Sequence, residues 1–290
     1  MMSNETLTVI GKIVSAWRYP VKSMMGSELS TVKVTERGVS GDRAYAILDR
    51  SEGKIATAKN PKKWPTLFAF SANLSESAGQ SGTKPQVQMT LPDGTVLSSE
   101  SDDIDARLSK ALDRQVMLVK AENGRIEGVQ SPLPSSWSAV SEEYWSDVEG
   151  PGQQHTVTDF RLPTGTFFDA AMVHMLTTAT LEQLQNGYSD GLFALQRFRP
   201  NLVVETKEER AGFVENSWIG QTLHIGHAVR LRVTGPCPRC VMTTLAQGDL
   251  PKDPDILRTA LRLNQGNVGV YATVLQEGVI QAGDEVRLAV

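Results

Sequence analysis

Short strand-like runs separated by turn residues are the feature that most restricts the fold of this sequence. In the segment 228–233 (AVRLRV), apolar residues alternate with arginines, which is the period of a half-buried β-strand. Two apolar runs near residue 90 flank Asp93 and Gly94, and an Asp-Gly pair supplies the positive φ angles of a tight hairpin. Such runs recur along the chain. The sequence therefore predicts a mostly β protein, closer to a barrel or sandwich than to a doubly wound sheet.

A few short helices are expected among the strands. One is predicted from Ser101 to about Leu112, another over residues 177–187 with Gly187 as its stop, and a third from Asp253 to Leu263. The segment 123–154 is rich in Ser, Pro, Gly and acidic residues, and we interpret it as a connection between two halves. The predicted domains are an N-terminal β-rich domain over 8–125 and a second domain over 126–290.

Composition excludes several classes of protein. The 290 residues are 40% hydrophobic and 21% charged, and no apolar run approaches the roughly 20 residues that cross a bilayer. The net charge of −4 argues against a nucleic-acid-binding domain, which is normally basic. The first residues, MMSNETLTVIGK, lack the basic start and apolar core of a secretion signal. We therefore expect a cytoplasmic protein without an integral membrane segment.

Both cysteines of the chain, Cys237 and Cys240, lie in the segment GPCPRCVMTT. They can be small apolar side chains in a core, although the flanking glycine and prolines favour a loop just past a strand that ends at Val233. A zinc site would need His224 and His227 as further ligands. In an extended segment those two histidines would point to opposite faces of the strand.

Two further hypotheses for the cysteine pair involve redox chemistry. A dithiol of thioredoxin type lies where a helix begins, and residues 241–244 (VMTT) predict no helix. Alternatively, a soft metal can be bound through one thiolate. If an organic cofactor carries that metal, the protein supplies one ligand and a set of residues that hold the cofactor.

Four segments combine turn residues with cations and hydrogen-bond donors. RYPVKSMMG carries Lys22 and Ser23 in a sharply turned loop suited to a phosphate. HMLTTATL carries Thr177 at the predicted start of a helix, where free N–H groups favour an anion. GVSGDRAYAILD and RFRPN supply Arg43 and Arg199, which can bind phosphate through two nitrogens.

The motifs YPVKSMMG, GDRAYAILD, FRPNLVVE and CPRCVMTT together resemble the MOSC domain with its N-terminal β-barrel partner. This is the family of the mitochondrial amidoxime-reducing component and its bacterial relatives, and the resemblance spans roughly residues 8 to 290. It implies a mainly β protein with short helices, in which a MOSC-type β-barrel domain is packed against an N-terminal β-rich domain. It also implies a molybdenum cofactor (molybdenum on molybdopterin).

The resemblance assigns roles to individual residues. Cys240, directly before the Val-Met-Thr-Thr run, would be the catalytic residue and the thiolate ligand of molybdenum, and Cys237 its non-ligand neighbour. The positions expected to hold the pterin and its phosphate, or to lie beside the ligand, are Lys22, Ser23, Arg43, Thr177, Thr178, Arg199, Asn201, Arg239 and Tyr271. His174 could donate a proton, although a histidine before a helix more commonly has a structural role.

The activity implied by the resemblance is an oxidoreductase reaction, the reduction of a small N-hydroxylated or N-oxide compound. Electrons would come from a separate protein, because the chain has no further cysteines for an iron–sulfur cluster. A second hypothesis is a protein that carries or delivers the cofactor, or transfers sulfur. A third is a plain anion-binding or redox-dithiol protein.

Overall fold

The computed structural model describes residues 7–75, 86–122, 125–133, 141–145, 157–162, 166–206 and 211–289. The chain forms two compact units that alternate along the sequence. The barrel unit comprises Met1–Arg18, Glu28–Ser40 and Ala171–Val290, and the second unit comprises Tyr19–Ser27 and Gly41–Ala170.

The secondary structure is mostly β. In chain order the strands are β1 Leu7–Arg18, β2 Ser27–Leu29, β3 Thr31–Thr35, β4 Gly38–Val39, β5 Tyr45–Asp49, β6 Lys54–Ile55, β7 Ser71–Ser75, β8 Gln86–Thr90, β9 Val96–Ser98, β10 Val116–Glu122, β11 Arg125–Gly128, β12 Ser141–Trp145, β13 Val157–Arg161, β14 Val173–Thr177, β15 Leu202–Thr206, β16 Thr222–Ile225, β17 Val229–Pro238, β18 Asn267–Gln276, β19 Gly278–Gln281 and β20 Glu285–Ala289. The α-helices are α1 Ile104–Leu112, α2 Thr178–Gly187, α3 Leu195–Phe198 and α4 Asp255–Asn264.

Seven strands of the barrel unit close on themselves. Their order is β15-β14-β18-β17-β16-β20-β1, and β1 pairs back with β15, for example through Ala16 opposite Leu202. Alternate residues of each strand face the inside, so that Val229, Leu231 and Val233 are buried in one apolar core while Arg230 and Arg232 are exposed. The predicted mainly β fold with a barrel is confirmed.

Helices cover part of the outer face of this barrel. Leu176 from β14 and Val268 from β18 pack with Leu184 of α2, Phe198 of α3 and Ile256 of α4 in a second apolar cluster. β14 and β18 are therefore buried on both faces near the start of α2, and residues at this end of the two strands are shielded from water.

The second unit contains two sheets. One has the strand order β11-β10-β5-β6-β12-β13, and the other has the order β7-β8-β9. Side chains of β5, β6 and β10 form a core with Phe167. The predicted hairpin lies here: Leu91 and Thr95 are joined by a hydrogen bond of 2.9 Å from N–H to O, and Gly94 has φ of 82°.

Most predicted helices and strands have the expected positions, with two differences. The helices predicted near 101–112, 177–187 and 253–263 correspond to α1, α2 and α4. The predicted connection over 123–154 was wrong in part, because it contains β11 and β12, which pair with β10 and β6; its other residues lie largely outside the described ranges. The second difference, at the cysteines, is described below.

The boundary between 8–125 and 126–290 stays a prediction, and the two compact units are not separated by a single cut in the chain. Within the residues that the structure describes, no helix has the length and apolar character needed to cross a membrane.

Candidate cofactor site

The cysteine pair lies at the end of a long barrel strand. β17 does not stop at Val233 as predicted but continues to Pro238, with Pro236 opposite Val270 and irregular register on either side. The prolines are compatible with this strand because its pairing shifts where they occur. Cys240 then precedes a short 3₁₀ helix over Val241–Thr244, so the expectation that no helix follows the pair was also wrong.

The two thiols have different surroundings. Cys237 is fully buried, whereas Cys240 is half-buried. Arg239 donates a hydrogen bond from Nη1 to the Cys237 sulfur over 2.8 Å. Burial alone would raise the pKa of the Cys237 thiol, but the charge of Arg239, followed by His174 and Tyr271, lowers it to about 6. Of the two cysteines, Cys240 is the one that an external ligand can approach.

Arg239 is held in place on several sides. Its backbone N–H donates to Gly266 O over 2.8 Å, its Nη2 donates to Phe198 O over 2.8 Å, and its guanidinium lies 5.8 Å from the centre of the Phe198 ring. Burial would lower the pKa of Arg239, but the Cys237 sulfur, and then Tyr271 and Cys240, raise it. A fixed cation therefore lies beside both cysteines.

A buried arginine that the sequence reasoning did not single out supports the segment after Cys240. Arg197 of α3 is fully buried. It donates to the carbonyl oxygens of Leu192, Thr243, Leu245 and Pro251 over 2.8–3.1 Å. Burial lowers its pKa. Arg197 thus fixes the backbone on the carboxyl side of Cys240. The sequence holds two arginines in RFRPN, and nothing in the pattern indicates which one is buried.

The hydroxyl group of Thr177 already has hydrogen-bond partners within the protein. Its Oγ1 accepts a hydrogen bond from Thr180 N as the cap of α2 and donates one to Glu215 Oε2 over 2.6 Å. Thr180 Oγ1 also donates to Glu215 Oε2, over 2.8 Å. Burial raises the pKa of Glu215, and the two threonines oppose this rise. A carboxyl group of the protein therefore lies at the start of α2, where Thr177 and the half-buried Thr178 were predicted to meet a phosphate.

Arg199 and Asn201 lie between α3 and β15 and are both buried. Arg199 ends α3 with φ of 54°, a conformation that costs energy for a residue other than glycine and is often found at functional sites. Asn201 joins neighbouring strands: its Oδ1 accepts from His174 N over 3.1 Å, and its Nδ2 donates to Trp17 O over 3.3 Å. Asn201 thus sets the position of His174.

In the second unit, Lys22 is part of a network of charges. Its ammonium lies 2.5 Å from Asp169 Oδ1, 3.1 Å from Glu142 Oε2 and 2.9 Å from Phe167 O. Lys59 bridges the same two carboxylates, at 2.6 Å from Glu142 and 3.0 Å from Asp169. Burial would raise the pKa of Asp169, but Lys22 and Lys59 lower it strongly. Lys22 would have to exchange one of these contacts to bind a phosphate.

Ser23 and Arg43 are brought together with Lys22 by hydrogen bonds between two loops. Lys22 N donates to Tyr45 O over 2.9 Å, and Arg43 N donates to Tyr19 O over 2.8 Å. Ser23 and Arg43 have positive φ angles of 63° and 45°, and Ser23 Oγ accepts from the N–H of Ala58.

Arg43 forms an ion pair with Asp42 and lies 4.7 Å from the centre of the Tyr19 ring. Burial would lower its pKa, but Asp42 raises it.

The predicted residues thus form one group in each unit. Lys22, Ser23 and Arg43 lie together in the second unit. The barrel unit holds the others. Among them, Arg239 interacts electrostatically with both Cys240 and Tyr271. The remaining four lie where β14 meets α2 and where α3 meets β15: Thr177, Thr178, Arg199 and Asn201. Their roles toward a cofactor stay predictions. Among the described residues no three His, Cys, Asp or Glu side chains are grouped so that they could hold a metal ion.

Comparison with known families agrees with this arrangement. The sequence model of the MOSC domain matches residues 163–287, and that of the MOSC N-terminal beta barrel domain matches residues 10–110. The chain belongs to the MOSC-domain proteins. MOSC domains are associated with the molybdenum cofactor, and both groups of predicted residues lie within the matched ranges.

Individual relatives are distant. A molybdenum cofactor sulfurase from Drosophila grimshawi is 25% identical over 267 residues, which cover 89% of this chain and 31% of the relative. The chain thus spans about a third of that protein. Among solved structures, the YUAD protein from Bacillus subtilis aligns over 98% of both chains with 10% identity and a TM-score of 0.46. YiiM from Geobacillus stearothermophilus aligns over 52% of this chain and 71% of its own, with 19% identity and a TM-score of 0.31.

Proposed function

We propose that this MOSC-domain protein is a molybdenum-dependent reductase of small N-hydroxylated or N-oxide compounds, with Cys240 as the thiolate ligand of the metal and electrons supplied by a separate protein. The observation that carries the proposal is the difference between the two cysteines. Cys240 is half-buried beside a fixed arginine, whereas Cys237 is fully buried and bound by that arginine. A thiolate is the kind of ligand that soft metal centres accept.

The residues present fit a cofactor that is anionic and carries its own metal. Arg239 supplies a positive charge next to Cys240, which would attract an anionic cofactor. Arg197 holds the carbonyl oxygens of Thr243 and Leu245, which limits the positions that Cys240 can take. When bound, the cofactor supplies the two-electron chemistry, and the protein supplies orientation and electrostatics.

Two further residues of the barrel unit would bind the pterin. Arg199 is buried and has a left-handed conformation at the end of α3, and its guanidinium is proposed to bind the pterin. Tyr271 interacts with both Arg239 and Cys237. The roles of Lys22, Ser23 and Arg43 of the second unit toward a phosphate stay predictions, and Lys22 would have to give up one of its carboxylate contacts to take such a role.

A second candidate function is suggested by the similarity to the molybdenum cofactor sulfurase, which extends over 89% of this chain. In that case the protein would carry or deliver the cofactor, or transfer sulfur, without reducing small molecules. The same thiol and cations would hold the cofactor, so the geometry of the site fits both functions. Turnover distinguishes them.

The test uses the 290-residue chain produced in cells that make the molybdenum cofactor. We expect about one molybdenum per chain, retained in Cys237→Ser and reduced at least about tenfold in Cys240→Ser, because only Cys240 is accessible to a ligand. With reduced viologen as donor, the wild-type protein should reduce an amidoxime to the amidine.

Three other results would contradict this proposal. Equal loss of metal from both variants would favour a dithiol site. Molybdenum without turnover, combined with transfer of cofactor to an apo-enzyme, would favour the carrier. Absence of molybdenum from the wild-type protein would contradict both functions.

A further inference from the structure

The surroundings of Cys237 are the least expected feature of the barrel unit. A buried cysteine usually behaves as a small apolar side chain, yet this sulfur accepts a hydrogen bond from Arg239 and interacts through hydrogen bonds with the side chains of His174 and Tyr271. Three polar groups from three different segments thus converge on one sulfur atom. We call Cys237, His174, Tyr271 and Arg239 the thiol cluster.

The barrel register explains why these residues meet. His174 of β14 lies directly opposite Tyr271 of β18, and Tyr271 lies opposite Gly235 of β17, two residues before Cys237. The neighbours Met175, Val270 and Ala272 face the barrel core, so His174 and Tyr271 point to the outer face, where their rings meet edge to face at 6.1 Å. The cluster is therefore built from rigid strands.

Hydrogen bonding fixes which nitrogen of His174 carries a proton. Its Nε2 lies 3.0 Å from Val268 O, and a carbonyl oxygen can only accept, so Nε2 must be protonated. The nitrogen left for the thiol is Nδ1, which in the neutral ring has a lone pair. Nδ1 can therefore accept a hydrogen bond from the Cys237 thiol, which places a proton between the two residues beside Arg239. This is the pairing that activates thiols elsewhere.

The cluster also has a route to the exterior. Cys237 is fully buried and His174 nearly so, but Tyr271 is half-buried and bonds to the same sulfur. A hydroxyl both donates and accepts a proton. Tyr271 is therefore the member of the cluster through which a proton can pass between the buried pair and a bound molecule.

We propose that Cys237 and His174 share a proton that is delivered through Tyr271 to the substrate during reduction, an inference that rests on the proposed reductase function. Reduction of R–NHOH breaks the N–O bond and consumes two electrons and two protons, giving R–NH₂ and H₂O. The electrons come from the reduced donor protein. One proton completes the water molecule, the other goes to nitrogen, and the thiol cluster supplies one of the two before it is reprotonated from solvent.

The first test measures the cluster without any cofactor. Cys240→Ser leaves Cys237 as the single thiol of these 290 residues, and the ultraviolet absorbance of its thiolate can be followed from about pH 5 to 9. We expect a midpoint near pH 6. His174→Gln in the same background keeps a donor for Val268 O but removes the shared proton, so the midpoint should rise by about one unit or more.

A midpoint for Cys237 at or above about pH 8.5, the value of an unperturbed thiol, would overturn the inference whatever the enzyme activity shows. Thermal unfolding of each variant distinguishes loss of the pair from loss of the fold. Tyr271→Phe serves as a second variant that keeps the ring and removes the relay hydroxyl.

The second test uses the molybdenum-loaded protein with reduced viologen and an amidoxime. Turnover per molybdenum should fall about a hundredfold or more in Cys237→Ser and Tyr271→Phe, and the pH dependence of kcat should change in His174→Gln while KM changes little. Wild-type rates per molybdenum in all three variants would overturn the relay and leave the reductase intact. No turnover by molybdenum-loaded wild-type protein would overturn the reductase and the relay with it, while the thiolate titration would still report on the cluster.

Discussion

Replacement of Arg197 by Met is the most direct test of how the candidate site is held. The substitution keeps an unbranched side chain of similar length and removes every donor. Arg197 is fully buried. It donates hydrogen bonds to the carbonyl oxygen of Leu192, before α3, to that of Pro251, before α4, and to that of Thr243, in the turn after Cys240.

The size of the effect follows from these contacts. Four hydrogen bonds from a charged donor are lost. The bond to Thr243 O is buried and the other three are partly buried, and a buried acceptor left without a partner costs about 1–3 kcal/mol. The loss is offset in part because a guanidinium no longer has to be buried, while each hydrogen bond from a charged donor contributes about 1.5–3 kcal/mol. We therefore expect the free energy of unfolding to fall by about 3 kcal/mol or more. A lysine at this position can reach fewer carbonyl groups, so the free energy of unfolding of Arg197→Lys should lie between those of the wild-type protein and Arg197→Met.

The assay is urea unfolding, combined with the rate at which an aromatic disulfide reagent modifies Cys240 in the folded protein. That rate should rise because the turn after Cys240 is no longer fixed. Arg230→Met, at an exposed position of β17, is the matched control and should change the free energy of unfolding by less than about 0.5 kcal/mol. If Arg197→Met is as stable as this control and reacts no faster, the reasoning about the buried arginine is wrong.

Two further predictions concern buried groups around the site. The folded-state pKa of Glu215 is raised, chiefly by burial. Its contribution to stability is therefore greatest below the unfolded pKa of about 4.3 and is lost as pH rises through the folded pKa. Glu215→Gln should remove this decline in the free energy of unfolding, measured in urea from about pH 4 upward, and an unchanged slope would contradict the prediction. A Cβ on Gly269 (φ +80°) would overlap His174 Nε2 and Met175 O, whereas Gly220 (φ +82°) has nothing within 4 Å. Gly220→Ala should therefore cost about 1–2 kcal/mol for its left-handed backbone, and Gly269→Ala, measured by thermal unfolding, should cost about 3 kcal/mol or more; equal costs would show that the overlap is relieved.

The sequence predicted the local elements better than the way they combine. The alternation in 228–233 identified a strand because successive side chains of a strand face opposite sides of the sheet. The start of a helix was predicted at Thr177, and its hydroxyl group does cap α2. The end of β17 was missed, since its last residues pair through register shifts that accommodate two prolines. No local pattern reveals such pairing.

The candidate site shows the same limit. Cys237 and Cys240 were recognised from their spacing, but their different environments depend on His174 and Tyr271. These two residues lie 63 and 34 positions from Cys237 in the sequence. They meet Cys237 only because β14, β18 and β17 are neighbours in the sheet. Arg197 and Arg199 are two residues apart, and only the fold shows that the first is bound to backbone oxygens. Partners distant in sequence were therefore the part that could not be predicted.

The closure of the barrel by β1 has a consequence for the order in which the protein forms. β1 pairs with β15 and with β20, whose residues follow it by roughly 190 and 280 positions. A ribosome making this chain releases β1 long before either neighbour exists, and contacts of such wide separation form slowly. The first strand must therefore wait without its partners through most of translation, which makes it the segment that a chaperone would need to protect.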